Sequence, residues 1–227
     1  MDFDFLKLKG INNLYIPLRY FVNSDYEITI KNLTNNYNTY IYLPIIMKDK
    51  YLKLINIEKI INNYDIKGFV ISHFSQINIV KKYNLELIGN YTLNIFNNYS
   101  IDFLERKGLK HITLSPELSY EDMSNFRNQE IIIYGKIPVM TNQYCYLGKT
   151  NKCYPNCDKK CNSNNKYYLK DRMNCKYRII PDNCSTITTI YNYRPIKIAS
   201  NNIDALSYRI DILDEDIDFL KSILVFQ

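Results

Sequence analysis

The sequence predicts an α/β fold built on a parallel sheet, and three observations predict it. From Leu14 to about Tyr134, short β-branched and aromatic runs alternate with stretches of helical apolar spacing. Strand starts recur every ~20–30 residues, the length of a β/α unit. The chain has 227 residues, 46% hydrophobic and 23% charged, the composition of one globular domain with a sizeable core. Such alternation sets strands in parallel, in a barrel or in an open doubly wound sheet. No strand is followed by G-x-G-x-x-G or G-x-x-x-x-G-K-[ST], and there are only six glycines, so a nucleotide-binding Rossmann fold fits poorly.

In chain order, the strand-like runs are residues 14–21, 39–46, 68–74, 85–96, 111–114 and 130–134, most ending in polar or proline residues. Between them, residues 51–64 place Leu54, Ile57, Ile60 and Ile61 on one helical face. Residues 101–107 form a helix with Ser100 as N-cap, Glu105 near the capping-box position and Gly108 as its stop. Ser119-Tyr120-Glu121-Asp122 opens another, with acids in its first turn. Residues 196–199 and 203–213 read as returning strands, and 214–226 as a closing helix.

Organisation follows as one domain over 1–227. Residues 1–140 carry the β/α units, 141–194 a cysteine-rich insert, and 195–227 the final strand and helix. The insert holds all six cysteines with many Asn, Lys and Tyr and little apolar periodicity. It can bury little, so a metal centre is the simplest agent to hold it.

Net charge is +6, with both signs spread along the chain and no dense basic run. This is the charge of a solvated surface and permits a phosphate-bearing partner without requiring one. The start, Met1-Asp2-Phe3-Asp4-Phe5, lacks the basic and apolar regions of a secretory signal. No stretch approaches the ~18 apolar residues that cross a bilayer. The expected compartment is the cytoplasm, with no membrane partner. There, cysteines are more often metal ligands or reactive thiols than disulfides.

The run Cys153-x3-Cys157-x3-Cys161 lies beside Pro155 and several turn formers, with Cys145 before it and Cys175 and Cys184 after. Thiolates so spaced converge on one ion where the backbone turns sharply, and structural zinc and iron–sulfur clusters both use such spacing. Free cysteines buried singly would sit in apolar settings, and these lie in a polar stretch. The density indicates a metal and leaves its identity open.

Several short blocks resemble, in order, the collagenase-like peptidase family U32. They are Asn90-Tyr91-Thr92-Leu93-Asn94-Ile95-Phe96-Asn97, Leu114-Ser115-Pro116-Glu117-Leu118-Ser119 and Tyr134-Gly135-Lys136-Ile137-Pro138-Val139-Met140. Cys145, Cys157-x3-Cys161, Tyr168-Leu169-Lys170-Asp171-Arg172, Cys184 and Ile190-Tyr191-Asn192 continue the series. Lys136 stands where the family usually has Arg, Asn174 where it has Gly, and Tyr193 where it has a small residue. The resemblance implies a partial or complete TIM-like β/α barrel with a cysteine-rich insert near the C-terminus. The strands count at or below eight, so the chain reads as a truncated copy, a split protein or half of a complex. Relatives implied by the resemblance include oxygen-independent hydroxylases of RNA bases or of a quinone precursor, several with a 4Fe–4S cluster. By resemblance its ligands are Cys145, Cys157, Cys161 and Cys184, with zinc as the alternative and Cys153 and Cys175 outside the set.

The leading functional expectation is therefore an iron–sulfur enzyme hydroxylating an RNA base or similar substrate. Alternatives are a collagenase-like peptidase acting on protein or peptide, and a non-catalytic subunit or remnant with a metal-stapled loop. A barrel short of strands also implies a partner subunit or homo-oligomer. Asn94, Asn97, Ser115 and Glu117 follow strand ends, where barrels place their active sites. Asn and Ser there orient substrate oxygens or cap helices. Glu117 is a candidate general acid/base or a partner of Arg172, which can also clamp a carboxylate or phosphate. The sequence has no H-E-x-x-H zinc helix and no G-x-S-x-G elbow. His73, at a strand end, pairs with Cys145 in a thiol-peptidase reading. His111, at the opposite end of its strand, reads as structural.

Overall fold

The computed structural model describes residues 10–49, 52, 55–126, 128–150, 166–182, 187–198 and 203–225. Five strands lie side by side in chain order: β1 (Asn13–Pro17), β2 (Asn38–Tyr42), β3 (Gly68–Ile71), β4 (Glu86–Gly89) and β5 (Leu109–Ile112). Every neighbouring pair is parallel. The sequence of β3, Gly-Phe-Val-Ile, is buried throughout, as a strand covered on both faces should be. A parallel bridge from Thr113 to Glu130 carries the sheet on to β6 (Glu130–Gly135). β6 pairs in parallel with β12 (Ser207–Asp211) and antiparallel with the short β11 (Ile196–Lys197).

The sheet curls: the Tyr15 hydroxyl on β1 donates to Glu130 on β6 at 2.8 Å, across the concave face. It does not close. Among the described residues β1 and β12 pair only on their inner sides, so the expected barrel is a parallel sheet with an opening between those two strands. No helix among the described residues is long and apolar enough to cross a membrane.

Crossover helices cover the convex face, each through apolar residues three apart. α2 (Glu27–Asn36) buries Ile30 and Leu33, α3 (Ile57–Asn63) Ile57 and Ile60, α4 (Ser75–Val80) Ile77 and Val80, and α5 (Asn98–Arg106) Ile101 and Leu104. With Phe69, Ile71, Leu109 and Ile112 they form the main core. The concave face carries a separate small cluster of Tyr40, Val70 and Ile88, against which Tyr15 and Tyr42 pack. Each fully buried Leu or Ile contributes roughly 1.5–3 kcal/mol, so the convex core dominates stability and leaves the concave face free for polar groups.

Several boundaries differ from the sequence expectation. The run 14–21 is strand only to Pro17; its remainder is the short helix α1 (Leu18–Phe21). The run 85–96 is strand only over Glu86–Gly89, because Asn90 turns the chain into a single 3-10 turn, Tyr91–Leu93. Helix α5 starts three residues early. Its cap is Asn97, whose side chain accepts from the Ser100 N–H at 2.9 Å, so Ser100 is inside the helix. Gly108, at φ +98°, ends it as expected. Ser119 does cap α6 (Tyr120–Met123), accepting from Asp122 N–H. The final strand and the closing helix α8 (Ile217–Val225) fall where the sequence places them.

Stretch 141–194 contains more regular structure than its weak periodicity suggests. β7 (Pro138–Asn142), β10 (Ile187–Tyr191), β9 (Lys176–Asp182) and β8 (Tyr167–Lys170) form an antiparallel sheet in that order. α7 (Tyr146–Thr150) follows β7. The buried Arg178 of β9 ties this sheet to the end of β12 through an ion pair with Asp214 at 2.7 Å. Cys153, Cys157, Cys161 and Cys184 lie outside the described residues.

Candidate active site at the carboxyl ends of the parallel strands

Parallel strands deliver their carboxyl ends to one side, the side on which α/β proteins place their chemistry. Here that side is lined by Tyr42 at the end of β2, Ser72 after β3, Asn90 to Thr92 after β4, and Arg209 and Asp211 on β12. Asn90 is fully buried and organises the group. Its side-chain nitrogen lies 2.8 Å from the Tyr42 hydroxyl, 3.0 Å from Thr92 Oγ1 and 3.2 Å from Ser72 Oγ. Its side-chain oxygen accepts from Arg209 Nη1 at 2.9 Å, and since arginine only donates, the amide's orientation is fixed. Ser72 Oγ donates to the Leu43 carbonyl at 2.6 Å, and Gln76 bridges the ends of β2 and β3 by accepting from Ser72 N–H and donating to the Pro44 carbonyl.

Arg209 is 8% exposed and meets Asp211 through a two-pronged contact, Nε to Oδ1 at 2.6 Å and Nη2 to Oδ2 at 3.2 Å. The rings of Tyr15, Tyr42 and Tyr91 surround its guanidinium at 5.4, 5.5 and 5.6 Å. Burial alone would weaken its hold on the proton; Asp211, Tyr42 and Glu130 reverse that and raise its pKa. Deeper in the concave face, Glu130 accepts from Thr113 at 2.7 Å, Tyr15 at 2.8 Å and Ser207 at 3.1 Å. Burial and the Glu130 carboxylate push Tyr15 far up, so it remains a donor. Burial likewise raises Tyr91, and takes Tyr191, at the end of β10, up to about 12. Tyr191 lies within electrostatic reach of Tyr42, Asp211 and Arg19, so the antiparallel sheet meets the parallel one at this face.

Gly135 makes the Arg209 contact possible. It ends β6 opposite Asp211 at φ +151°, and a Cβ there would stand 2.6 Å from Asp211 Cβ.

The residues singled out from the sequence are placed differently. Asn94 is exposed in a left-handed conformation and lines a shallow cleft of about 370 Å³ with Phe74, Tyr99 and Phe103. Asn97 is engaged as the α5 cap. Ser115 is buried and accepts from the Glu117 N–H at 3.3 Å, while the Glu117 side chain is exposed. Arg172 lies in the β8–β9 turn and makes no ion pair with Glu117 among the described residues. Asp171 organises that turn by accepting from Met173 and Cys175 N–H, and Asn174 holds a left-handed conformation that Asn tolerates. Asn94, Asn97, Ser115 and Glu117 do follow the carboxyl ends of β4 and β5, but none joins the Arg209 network.

His73 is exposed and its Nδ1 is taken up locally by Ser75, at 2.8 Å from Oγ and 3.3 Å from N. Cys145 Sγ accepts from Gly148 N–H at 3.3 Å, so the two do not form a dyad. His111 is buried mid-β5 with neither ring nitrogen bonded, and burial lowers its pKa.

Cys145 is a free, half-buried thiol at the start of α7, where the Gly148 N–H donates to its sulfur. It follows Asn142 by three residues, and Asn142 pairs with Thr188; Cys184 precedes Ile187 by three. Cys175 belongs to the β8–β9 turn, six residues along β9 from the Pro181 that pairs with Thr188, or about 20 Å at ~3.3 Å per residue. Cys145 is the one proposed ligand among the described residues. Those residues contain no group of three or more His, Cys, Asp or Glu able to hold a metal.

The sequence reading missed Arg209, Asp211 and Asn90. Arg209, between Tyr208 and Ile210 in the last strand, was the available signal.

No curated protein and no solved structure matches this chain significantly. A family model does match, that of peptidase family U32, over residues 22–221. With that match across most of its length, the chain belongs to peptidase family U32.

Proposed function

We propose that this U32 protein is an iron–sulfur enzyme whose substrate sits at the carboxyl ends of the parallel strands, against the caged Arg209. The reaction is an oxygen-independent hydroxylation of an RNA base or a similar substrate. The observation that carries this reading is the Arg209–Asp211–Asn90 network, held beside Tyr191 of the sheet whose other end leads to Cys145. A buried, fully bonded polar group of this kind adds little stability over an apolar core, so its presence at the strand ends favours a binding role. When bound, a cluster on Cys145, Cys157, Cys161 and Cys184 supplies one-electron transfer. Tyr91 and Tyr191 keep their protons, and their hydroxyls and that of Tyr42 donate to substrate oxygens. Arg209 provides fixed positive charge, and Asn90 sets its direction. The net charge of +6 suits a phosphate-bearing substrate. Free Cys145 and Cys175 suit the reducing cytoplasm. The seven parallel strands suit a TIM-like barrel opened at one seam.

Metal analysis of anaerobically purified protein tests the proposal. Brown protein with iron and acid-labile sulfide is expected, with iron lost in Cys145→Ala, Cys157→Ala, Cys161→Ala and Cys184→Ala and kept in Cys153→Ala and Cys175→Ala. Colourless protein carrying zinc, or full iron in Cys145→Ala, sinks it. The proteolytic reading contained in the family's name requires thiol-sensitive hydrolysis of a collagen-like peptide, which the same preparations measure.

A further inference from the structure

The loops that leave the Arg209 network also build the aromatic cleft. Phe74 stands two residues after Ser72, and Asn94 two residues after Thr92, so each lies at most ~7 Å along the chain from a network residue. Thr92 Oγ1 ties the two loops together by donating to the Ser72 carbonyl at 2.8 Å, and Asn90 Nδ2 lies 3.2 Å from Ser72 Oγ. Beyond that tie the loops line the cleft of about 370 Å³, with Leu93 and Ile95 buried and Phe74, Tyr99 and Phe103 46%, 86% and 44% exposed. Single exposed aromatics are ordinary on a protein surface. Three around one concavity, of a size within the roughly 300–1,000 Å³ of ligand pockets, form a platform for a flat ring.

Charge is placed to match. Tyr99, Phe103 and Lys107 follow one another four residues apart along α5 and its C-cap, and Lys107 Nζ lies 5.4 Å over the Phe103 ring. The acids of the helix, Asp102 and Glu105, run along another line. Exposed Asn94 offers an amide donor and acceptor at the edge of the cleft. A cation at the end of an aromatic row suits a ligand that carries a flat ring and a phosphate together, as every nucleotide of a single strand does. A proline-rich peptide would use the rings and leave the cation idle.

We propose that this cleft seats a base of single-stranded RNA next to the one held at Arg209, stacked on Phe74, Tyr99 and Phe103 with its phosphate toward Lys107. The cleft rests on the RNA reading of the carboxyl-end face and requires no cluster.

Fluorescence anisotropy of a labelled single-stranded RNA of about 12 nucleotides, titrated with the full chain, tests it. Saturable binding is expected, weakened at least about fivefold in Tyr99→Ala and in Phe103→Ala, and kept within about twofold in Tyr99→Phe and in the remote control Lys31→Gln. Lys107→Gln should reduce the slope of log affinity against log salt by about 0.7, the signature of one lost phosphate contact. Tyr99→Ala should melt with the wild type, because its ring is exposed, so its loss of binding is not unfolding. Wild-type affinity in both alanine variants overturns the cleft and leaves the RNA reading standing. Duplex RNA that binds as tightly as the single strand also overturns it, since paired bases cannot enter. Displacement of the RNA by a proline-rich peptide that itself needs Tyr99 would make the cleft a peptide groove and overturn it. No RNA binding by the wild type removes the cleft and RNA together, while iron content judges the cluster independently.

Discussion

At the scale of single residues, the concave face differs from the convex core in being held by charge and hydrogen bonds. Arg209 and Asp211 are the sharpest case. Asp211→Asn leaves a guanidinium that is 8% exposed without its counter-charge, while Asn90 and the three tyrosine rings still hold it in place. A loss of about 2–4 kcal/mol is expected in urea unfolding, and the double variant Asp211→Leu with Arg209→Met should recover part of it, because both charges then leave together. Equal or larger loss in the double variant would show that packing around Arg209, and not the pair, is what matters. His111 gives a pH signature. Its ring is buried with no bonded nitrogen, and burial lowers its pKa below the usual histidine value; Glu130 opposes that shift, Lys110 adds to it, and Glu86 opposes it weakly. The unfolded chain therefore binds the proton more readily than the folded one, so stability is at its full value above about pH 6.5 and falls as pH drops below it, by at most ~1.4 kcal/mol per pH unit. Melting temperatures between pH 7.5 and 5.5 should decline in the wild type and decline less in His111→Leu. Parallel curves for the two would assign the acid sensitivity elsewhere. None of these residues announced itself through spacing: Asn90 sits in an Asn-rich chain, and Tyr15 and Glu130 meet only because the sheet curls.

At the scale of elements, the sequence was legible where burial alone decides structure. β3 is apolar and β6 carries three consecutive isoleucines, both buried throughout, and the helices at residues 57–63 and 98–106 bury residues three apart, so period and composition place them. Legibility failed where a polar side chain ended an element early. Asn97 displaces Ser100 as the α5 cap because its side-chain oxygen reaches the free N–H of the first turn. Asn90 ends β4 by turning its side chain into the Arg209 network, and an alternating pattern does not encode that. The β8–β10 strands were hidden because tyrosine, lysine, arginine and threonine interrupt their few apolar residues, and partner strands satisfy their backbones. The joint between elements is testable at Gly135. Gly135→Ala places a methyl group against Asp211 at a backbone angle that alanine avoids, so β6 and β12 must shift apart or Asp211 must turn away. A cost of about 1–3 kcal/mol is expected from the strain, together with loss of substrate binding beyond what the stability change explains. Wild-type stability and binding in that variant would show that the β6–β12 contact tolerates more slack than its geometry suggests.

At the scale of the whole molecule, alternation and period correctly gave one parallel sheet, and the Arg209 cage exists because that sheet bends until β1 faces β6. Closure was not legible, because it depends on whether β1 and β12 meet, and no local pattern carries that distance. Among the described residues the outer edges of β1 and β12 are unpaired, and β1 is at most half-buried along its length, unlike the fully buried β3. Unpaired N–H and C=O groups along a strand edge recruit a partner unless the edge is blocked by charge, proline or a bulge. β1 carries only Pro17, at its end, and its partner across the opening, β12, presents Tyr208 and Ile210 among polar neighbours. A protein with such a seam should therefore self-associate or bind a second chain there. Sedimentation at micromolar concentration is expected to show a species larger than one chain, and Ile16→Pro, which removes a donor from β1, should shift it toward the monomer. A dispersed, stable monomer whose β1 amides exchange as slowly as those of β3 would instead mean that the seam is satisfied within the chain itself.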